Sequence, residues 1–388
     1  MSRQIIKQFC TGCTACSSAC PKGCITMVAD QDGFLHPVIE AESCVNCGLC
    51  NQVCPAINLQ KTDMRELKAY AAYSRDEAIR LQSSSGGIFT ELAKAVLANK
   101  GTVFGAAYNE QFEVVHICAE NEADIAKLRG AKYAQSNLCG IFPAVKRKLD
   151  EGQQVLFSGT PCQVGGLKAF LRKEYENLLT VDFVCHSVPS PVAWRKYVQY
   201  RAEQDNDRGL PLSINLRSKK TGWSKYQYSN LFDYHDFTHS AKSGESLYMK
   251  LFVGGYISRE SCASCQFKGY SRVSDLTIGD FWGIWDIAPE MDDNKGTSVV
   301  LVQSDRGEAL LRSIANQLVL KMVTLEEASM QNQAMIRTAR MNPKRDEVLR
   351  MIRAENFDAI QTMIDKTNKQ KSSFFRRMIR SALRLFGQ

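Results

Sequence analysis

The chain reads as an α/β protein with a mostly parallel or mixed sheet, preceded by a small α+β cysteine module and followed by a helical C-terminal region. Three observations predict this. Two cysteine runs of identical spacing crowd the first 54 residues. From Ala69 onward, short apolar strands alternate with turn-initiated helical patterns, the signature of strand–helix–strand units. Helical periodicity then fills 306–317, 326–340 and 344–366. The domain division that follows is 1–60, a body in two parts over 69–145 and 150–325, and a helical region over 326–388.

At 388 residues the chain exceeds one ordinary core, and its 44% hydrophobic and 23% charged content is that of a globular protein. Net charge is +8. No apolar run of 18 residues exists to span a membrane, and the residues before Cys10 have no apolar leader segment. Fifteen cysteines in that setting imply a reducing cytoplasm and metal or redox work.

The N-terminal module rests on Cys10, Cys13, Cys16 and Cys20 followed by Pro21, and on Cys44, Cys47, Cys50 and Cys54 followed by Pro55. Each cysteine of the second run lies 34 residues after its counterpart. A cubane needs four thiolates converging on one point, and two-residue spacers wrap three sulfurs around one face. The fourth cysteine, before proline, ligates the other cluster. This is the sequence form of a two-cluster bacterial ferredoxin, and two 4Fe–4S clusters are expected. One takes Cys10, Cys13, Cys16 and Cys54; the other takes Cys44, Cys47, Cys50 and Cys20. Disulfides would need an oxidising compartment, and zinc has no use for a third cysteine at this spacing. Cys24 is extra, a small buried residue beside a cluster. Between the runs, two alternating segments flank Asp30–Gly33 and read as a hairpin, with each hairpin-plus-cysteine unit forming half of a pseudo-symmetric module. Residues 56–68 read as a linker.

In the body, strands are expected at 69–73, 102–108, 114–119, 154–157, 178–184 and 298–303, the last being the final strand. Helices are expected from Ser83–Gly87 onward, near 122–129, over 143–150 and from Cys162 to Arg172. The polar stretch 205–245 reads as an insertion or peripheral hairpin. Ser83–Gly87 and Ser158–Thr160 place backbone N–H groups and hydroxyls at helix starts after strands, where α/β sheets bind anionic groups. Ordinary caps and turns give the same pattern. Neither loop is a nicotinamide or P-loop fingerprint. Cys162, Cys185, Cys262 and Cys265 also fall near strand ends. From spacing alone, a third cluster, a zinc knuckle at Cys262/Cys265 and inert buried thiols all remain open. Cys118 and Cys139 have no companions and read as structural.

Cys162 within Thr160–Gln163, Cys185 within Cys185–Ser190, the Cys262/Cys265 pair and the stretch Asp275–Gly283 resemble the beta subunits of coenzyme F-420-dependent hydrogenases and formate dehydrogenases. Ser84–Gly87 and Lys132–Ser136 fit the same pattern. The resemblance covers about residues 70–330. It implies a third 4Fe–4S cluster on Cys162, Cys185, Cys262 and Cys265, and FAD or another flavin beside it. The implied flavin contacts are Ser84, Ser85, Gly86 and Gly87 on the phosphate side, then Lys132, Tyr133, Gln135 and Ser136, with Ser158, Gly159 and Thr160 nearby. Lys132 is the candidate catalytic residue, placed where a cation stabilises a reduced flavin; a solvated surface lysine is the plain alternative. Asp280 and Trp282 shape the pocket or simply pack, and His186 either supports Cys185 or is structural.

The expected protein is thus an iron–sulfur flavoprotein oxidoreductase. It takes electrons from a redox protein and passes them through a flavin to a small-molecule substrate as hydride; the reverse flow is equally allowed. Some bacterial members resemble proteins of surface-polysaccharide synthesis, which gives one setting. The alternatives are a non-catalytic electron-transfer subunit of a larger complex, and a scaffold with the module's clusters alone. In the tail, Phe374, Phe375, Met378, Ala382, Leu385 and Phe386 share one helical face, with Arg376, Arg377, Arg380 and Arg384 mostly opposite. That pattern suits peripheral contact with an anionic membrane through 367–388, at the inner face, or docking on protein. No nucleic-acid motif accompanies the charge.

Overall fold

The computed structural model describes residues 7–58, 66–206 and 208–367. Most of the basic tail, and part of the 56–68 linker, lie outside the described residues.

The cysteine module contains the short helix Ala15–Ala19, the antiparallel hairpin of β1 (Ile25–Ala29) and β2 (Leu35–Ile39), and the turn of helix Leu49–Gln52. Asp30 makes the hairpin turn: its Oδ1 accepts from the backbone N–H groups of Asp32 and Phe34, each at 3.0 Å. Among the described residues the module has this one hairpin, and Cys54 is followed by a turn through Asn58. Residues 1–6 and 59–65, where the rest of the expected pseudo-symmetric pair falls, lie outside the described residues.

The body begins with β3 (Lys68–Ser74), β4 (Thr102–Tyr108), β5 (Val114–Ala119), β6 (Val155–Gly159) and β7 (Leu178–Phe183). It continues through β8 (Ser213–Ser218), β9 (Ser229–Asp233) and β10 (Thr238–Lys242) to β11 (Leu276–Asp280), β12 (Ser298–Val302) and β13 (Leu318–Val323). Eight strands form one mixed sheet in the order β13-β3-β12-β11-β7-β6-β4-β5. Its centre, β4-β6-β7-β11, is parallel, and the flanking pairs are antiparallel. The central strands are covered on both faces, which is why Val155–Phe157 and Leu178–Thr180 read as continuous buried runs. The directions place the carboxyl ends of β3, β4, β6, β7 and β11 on one edge, where open α/β sheets bind ligands.

Four stretches differ from expectation. Residues 205–245 are not a peripheral hairpin. They form an antiparallel sheet, β10-β9-β8, packed on helix Pro191–Gln204 through Leu216, Phe232, Trp194 and Tyr197. The polar look came from Arg217, Ser218, Ser229 and Asn230, all of them buried. β13 is an edge strand beyond the predicted last one. Its Lys321 and Met322 face solvent, which hid the pattern. The long helix expected over 326–340 is one turn, Leu325–Ser329, started by a Thr324/Glu327 capping box and followed by irregular chain. The C-terminal helix divides into Arg345–Arg353 and a second piece over 357–367. Glu355, at φ 59°, makes the break.

The cysteine module docks on the body. Ser190 Oγ donates to Asp32 O at 2.5 Å, and Val192 N donates to the same carbonyl at 3.2 Å. Asp32 also pairs with Arg353.

Candidate redox site

The module's thiols fall into two adjoining groups. Burial raises the Cys16 pKa to about 12, and neighbouring Cys10 and Cys54 push the same way. Burial likewise raises Cys13, with Cys16 and Cys54 adding to the effect. In the other group, Cys50 faces Cys47 and Cys44. Cys16 also senses Cys50, so the groups are neighbours. Cys24 lies 3.3 Å from Cys20, sulfur to sulfur, in the small apolar cluster beneath the second group. Gly12 is required in the first loop: at φ +69° any Cβ would meet Gln135 Nε2 at 2.6 Å.

Four more thiols meet in the body. Cys162 opens helix Pro161–Leu171 directly after β6. Gln163 fixes that start by accepting from Thr160 N at 2.9 Å and donating to Ser136 Oγ at 2.8 Å. Cys185 follows β7. The loop after it pairs with the segment before Cys262: Ser190 N donates to Ile257 O and Arg259 N to Val188 O, each at 2.8 Å. That pairing carries Cys262 and Cys265 to Cys185. Cys162, Cys185, Cys262 and Cys265 line one cavity together with Arg259, Lys268 and Arg272. Burial pushes the thiols of Cys162, Cys185 and Cys262 up to about 12 each. Four close thiolates are untenable without a cation to neutralise them, so metal binding would expel their protons. Among the described residues, no three cysteine, histidine or carboxylate groups close tightly enough to hold a single metal ion. Four cysteines from three separate loops are a donor set that a cubane or a tetrahedral zinc site could use. Cys118 and Cys139 are exposed and take no part.

This third set adjoins the module. Cys162 is among the charges that Cys13 senses. Contact is close because position 166 is glycine: a Cβ there would lie 2.8 Å from both Cβ and Sγ of Cys13. Arg259 crosses the boundary. Its Nε donates to Cys10 O at 2.7 Å, Nη1 to Gln135 Oε1 at 2.8 Å and Nη2 to Leu35 O at 2.9 Å.

The residues matched to a flavin are placed unevenly. Gln135 and Ser136 belong to the module boundary: Gln135 Nε2 donates to Thr11 O at 2.9 Å, so both ends of its amide are engaged within the protein. Lys132 is no solvated surface lysine. Its Nζ donates to the carbonyls of Leu128, Arg129 and Gly130 at 3.1, 2.9 and 3.2 Å, closing the end of helix Glu122–Leu128. Ser85 Oγ donates to Thr297 O, and Gly86 N to Ser298 Oγ, both at 2.9 Å, holding the loop to β12. Ser158 lends its carbonyl to His116 Nε2 at 3.0 Å, and Thr160 Oγ1 lies 3.1 Å from Cys162 Sγ.

Ser84, Tyr133 and Asp280 do converge, around a residue that sequence reasoning missed. Arg217 on β8 donates to Asp280 Oδ2 at 2.8 Å and Oδ1 at 2.7 Å, to Tyr133 Oη at 3.1 Å and to Ser84 O at 3.4 Å. It lies over the Tyr228 ring at 4.0 Å. Lys219 Nζ donates to the carbonyls of Arg80 and Ser85, each at 2.5 Å. Ser84 Oγ is buried there without a hydrogen-bond partner. The available signal was the basic run Arg217–Lys220 inside a stretch with strand alternation. Trp282 stacks on Trp223 with centroids 4.8 Å apart, so it packs as well as shapes the region. His186 meets Phe252 edge-on at 5.1 Å, and Phe252 touches Tyr133 at 4.9 Å, an aromatic path from Cys185 to Arg217.

A 4Fe–4S dicluster domain matches residues 9–57. The family described as coenzyme F420 hydrogenase/dehydrogenase, beta subunit, matches residues 69–142 with its N-terminal part and 152–328 with its C-terminal part. None of the curated proteins matches. Among solved structures, a chain of the F420-reducing [NiFe] hydrogenase complex from Methanosarcina barkeri is 18% identical, covering 79% of this chain and 95% of that one with a TM-score of 0.47. The chain belongs to the coenzyme F420 hydrogenase/dehydrogenase beta-subunit family and carries a 4Fe–4S dicluster domain ahead of it.

Proposed function

We propose that this chain is an iron–sulfur flavoprotein oxidoreductase of the cytoplasm, in which three thiol sets form one electron path ending at a flavin. The observation that carries this is the contact of Cys13 with Gly166, which sets the module's first thiol group beside the group at Cys162, Cys185, Cys262 and Cys265. Clusters pass single electrons, and a flavin collects them for two-electron reduction of a small-molecule substrate. The buried, unpartnered Ser84 Oγ and the cations Lys219 and Arg217 support an anionic cofactor at the carboxyl edge of the sheet. Within the matched residues, Ser84 and Tyr133 are the contacts with chemistry to offer. Lys132, Gln135 and Ser136 instead brace the site, and no catalytic role is assigned to Lys132. The resemblance adds surface-polysaccharide metabolism as a setting, on which no residue described above bears.

Cys47 is exposed, and Val45 beside it is 58% exposed, so the second thiol group offers the surface where a redox protein meets the chain. The same surface serves an electron-transfer subunit whose partner holds the active site. Anaerobic purification with iron, sulfide and flavin analysis separates the readings. About twelve irons and one flavin per chain are expected, falling to about eight irons in Cys265→Ala. About eight irons in the parent would remove the third cluster, and no flavin after reconstitution would leave the electron-transfer subunit. Among the described residues, no helix is long and apolar enough to cross a membrane. The proposed lipid contact of the tail is tested by liposome flotation before and after deletion of 368–388; unchanged flotation ends it.

A further inference from the structure

Three buried or half-buried cations border the third thiol set. Arg259 is 2% exposed and donates to the carbonyls of Cys10 and Leu35 and to the Gln135 amide oxygen, with the His36 ring at 3.4 Å. Lys268 Nζ donates to the carbonyls of Cys185 and Ala334. Arg272 has a carboxylate, Asp182, at 3.7 Å, and also donates to Met335 O at 3.1 Å. Among the described residues, no ion pair involves Arg259 or Lys268. The cavity border therefore carries three positive charges against one negative. Module residues 7–58 have the opposite balance: Lys7 and Lys22 against Asp30, Asp32, Glu40 and Glu42.

We propose that Arg259, Lys268 and Arg272 make the cluster at Cys162, Cys185, Cys262 and Cys265 the most easily reduced of the three, so that electrons run from the cysteine module into the body. This rests on the third-cluster reading above. A cubane held by four thiolates is anionic, and reduction adds one more negative charge, which nearby buried cations stabilise. Burial works against reduction. The second group, with Cys47 exposed, is eased by solvent but has Glu40 and Glu42 just ahead of Cys44. The first group, Cys10, Cys13, Cys16 and Cys54, is buried, so burial does not separate it from the third. Charge does. Arg259 stands at the boundary and serves both, whereas Lys268 and Arg272 border the third set alone. In the step itself, the cluster at Cys10, Cys13, Cys16 and Cys54 loses one electron and the third gains one. No bond forms or breaks and no proton moves. The reductant is a low-potential one-electron donor protein at the module.

The test is an anaerobic redox titration of the holoprotein followed by electron paramagnetic resonance. Cys265→Ser identifies the third cluster's signal, by altering it or abolishing it. The third signal is expected to appear first as the potential is lowered. Lys268→Gln should move its midpoint to lower potential and leave the module's two midpoints in place. Arg259→Lys should hold the midpoint, whereas Arg259→Gln should lower it, a difference that a purely structural role would not produce. A third signal that appears last, or a midpoint indifferent to Lys268→Gln, overturns the inference while the third-cluster reading stands. A parent with about eight irons overturns both.

Discussion

Asp280→Ala tests whether the Arg217 pair holds the two sheets together at the cofactor edge. Arg217 comes from the smaller sheet and Asp280 from the carboxyl end of β11, with side-chain exposures of 3% and 18%. The pair is bidentate at 2.8 and 2.7 Å. Removing the carboxylate leaves the guanidinium buried with Tyr133 Oη at 3.1 Å, Ser84 O at 3.4 Å and the faces of Tyr228 and Trp282 at 4.0 and 5.0 Å. Arg217 Nε already lacks a partner. Breaking a buried pair from one side costs about 3–5 kcal/mol, because an uncompensated charge stays inside. Domain stabilities of about 5–15 kcal/mol make that a large fraction. Asp280→Ala combined with Arg217→Met removes the charge with its partner and should recover most of the loss. Trp223 and Trp282 stack beside the pair, so tryptophan fluorescence during a guanidinium titration reports this region. An Asp280→Ala protein within about 1 kcal/mol of the parent, or a double variant less stable than the single, would refute the reasoning.

Two further outcomes are expected. Gly166→Ala gains about 1 kcal/mol of helix propensity but forces a Cβ to 2.8 Å from Cys13 Cβ and Sγ, an overpacking cost of about 1–3 kcal/mol. Net destabilisation with loss of about four irons is predicted, and a variant as stable and iron-rich as the parent would contradict the close module contact. His116 is buried against Phe157 with ring centroids 5.5 Å apart, and burial lowers its pKa to about 4, below the ordinary 6.5. The unfolded chain therefore binds the proton first. The contribution is fully present above pH 6.5 and is lost as pH falls toward 4, on the order of 3 kcal/mol in all. His116→Phe should flatten this part of the stability profile between pH 7 and 4; parallel profiles would rule the histidine out.

Much of the scaffold was legible because its signals are local. Strands β4 and β5 lie at 102–108 and 114–119 as their apolar runs suggest, since a buried strand needs little beyond its own side chains to announce it. The stretch 205–245 misled for the opposite reason. Arg217, Ser229 and Asn230 are buried by partners elsewhere in the chain, such as Asp280 for Arg217, so local polarity pointed outward where the fold points inward. The expected flavin residues show local and tertiary roles together. A Lys132–Ser136 motif fits an anion site, yet the amine of Lys132 closes a helix and Gln135 ties the module to the body.

The sequence by itself determined the dicluster module and its family, because cluster spacing is a matter of a few residues along one chain. It also determined that Thr160 and Cys185 follow strands, whereas Ser83–Gly87, expected after a strand, follows the short helix Glu77–Gln82 instead. Only the tertiary structure decided that Cys162, Cys185, Cys262 and Cys265 share one cavity, and that the cavity lies against Cys13. It alone placed Arg259 on Cys10, 249 residues away. The reason is physical. Thiolates a few residues apart meet through a turn, whereas charges and thiols hundreds of residues apart meet only when the fold brings the loops after β6 and β7, the segment before Cys262 and the docked module to one place.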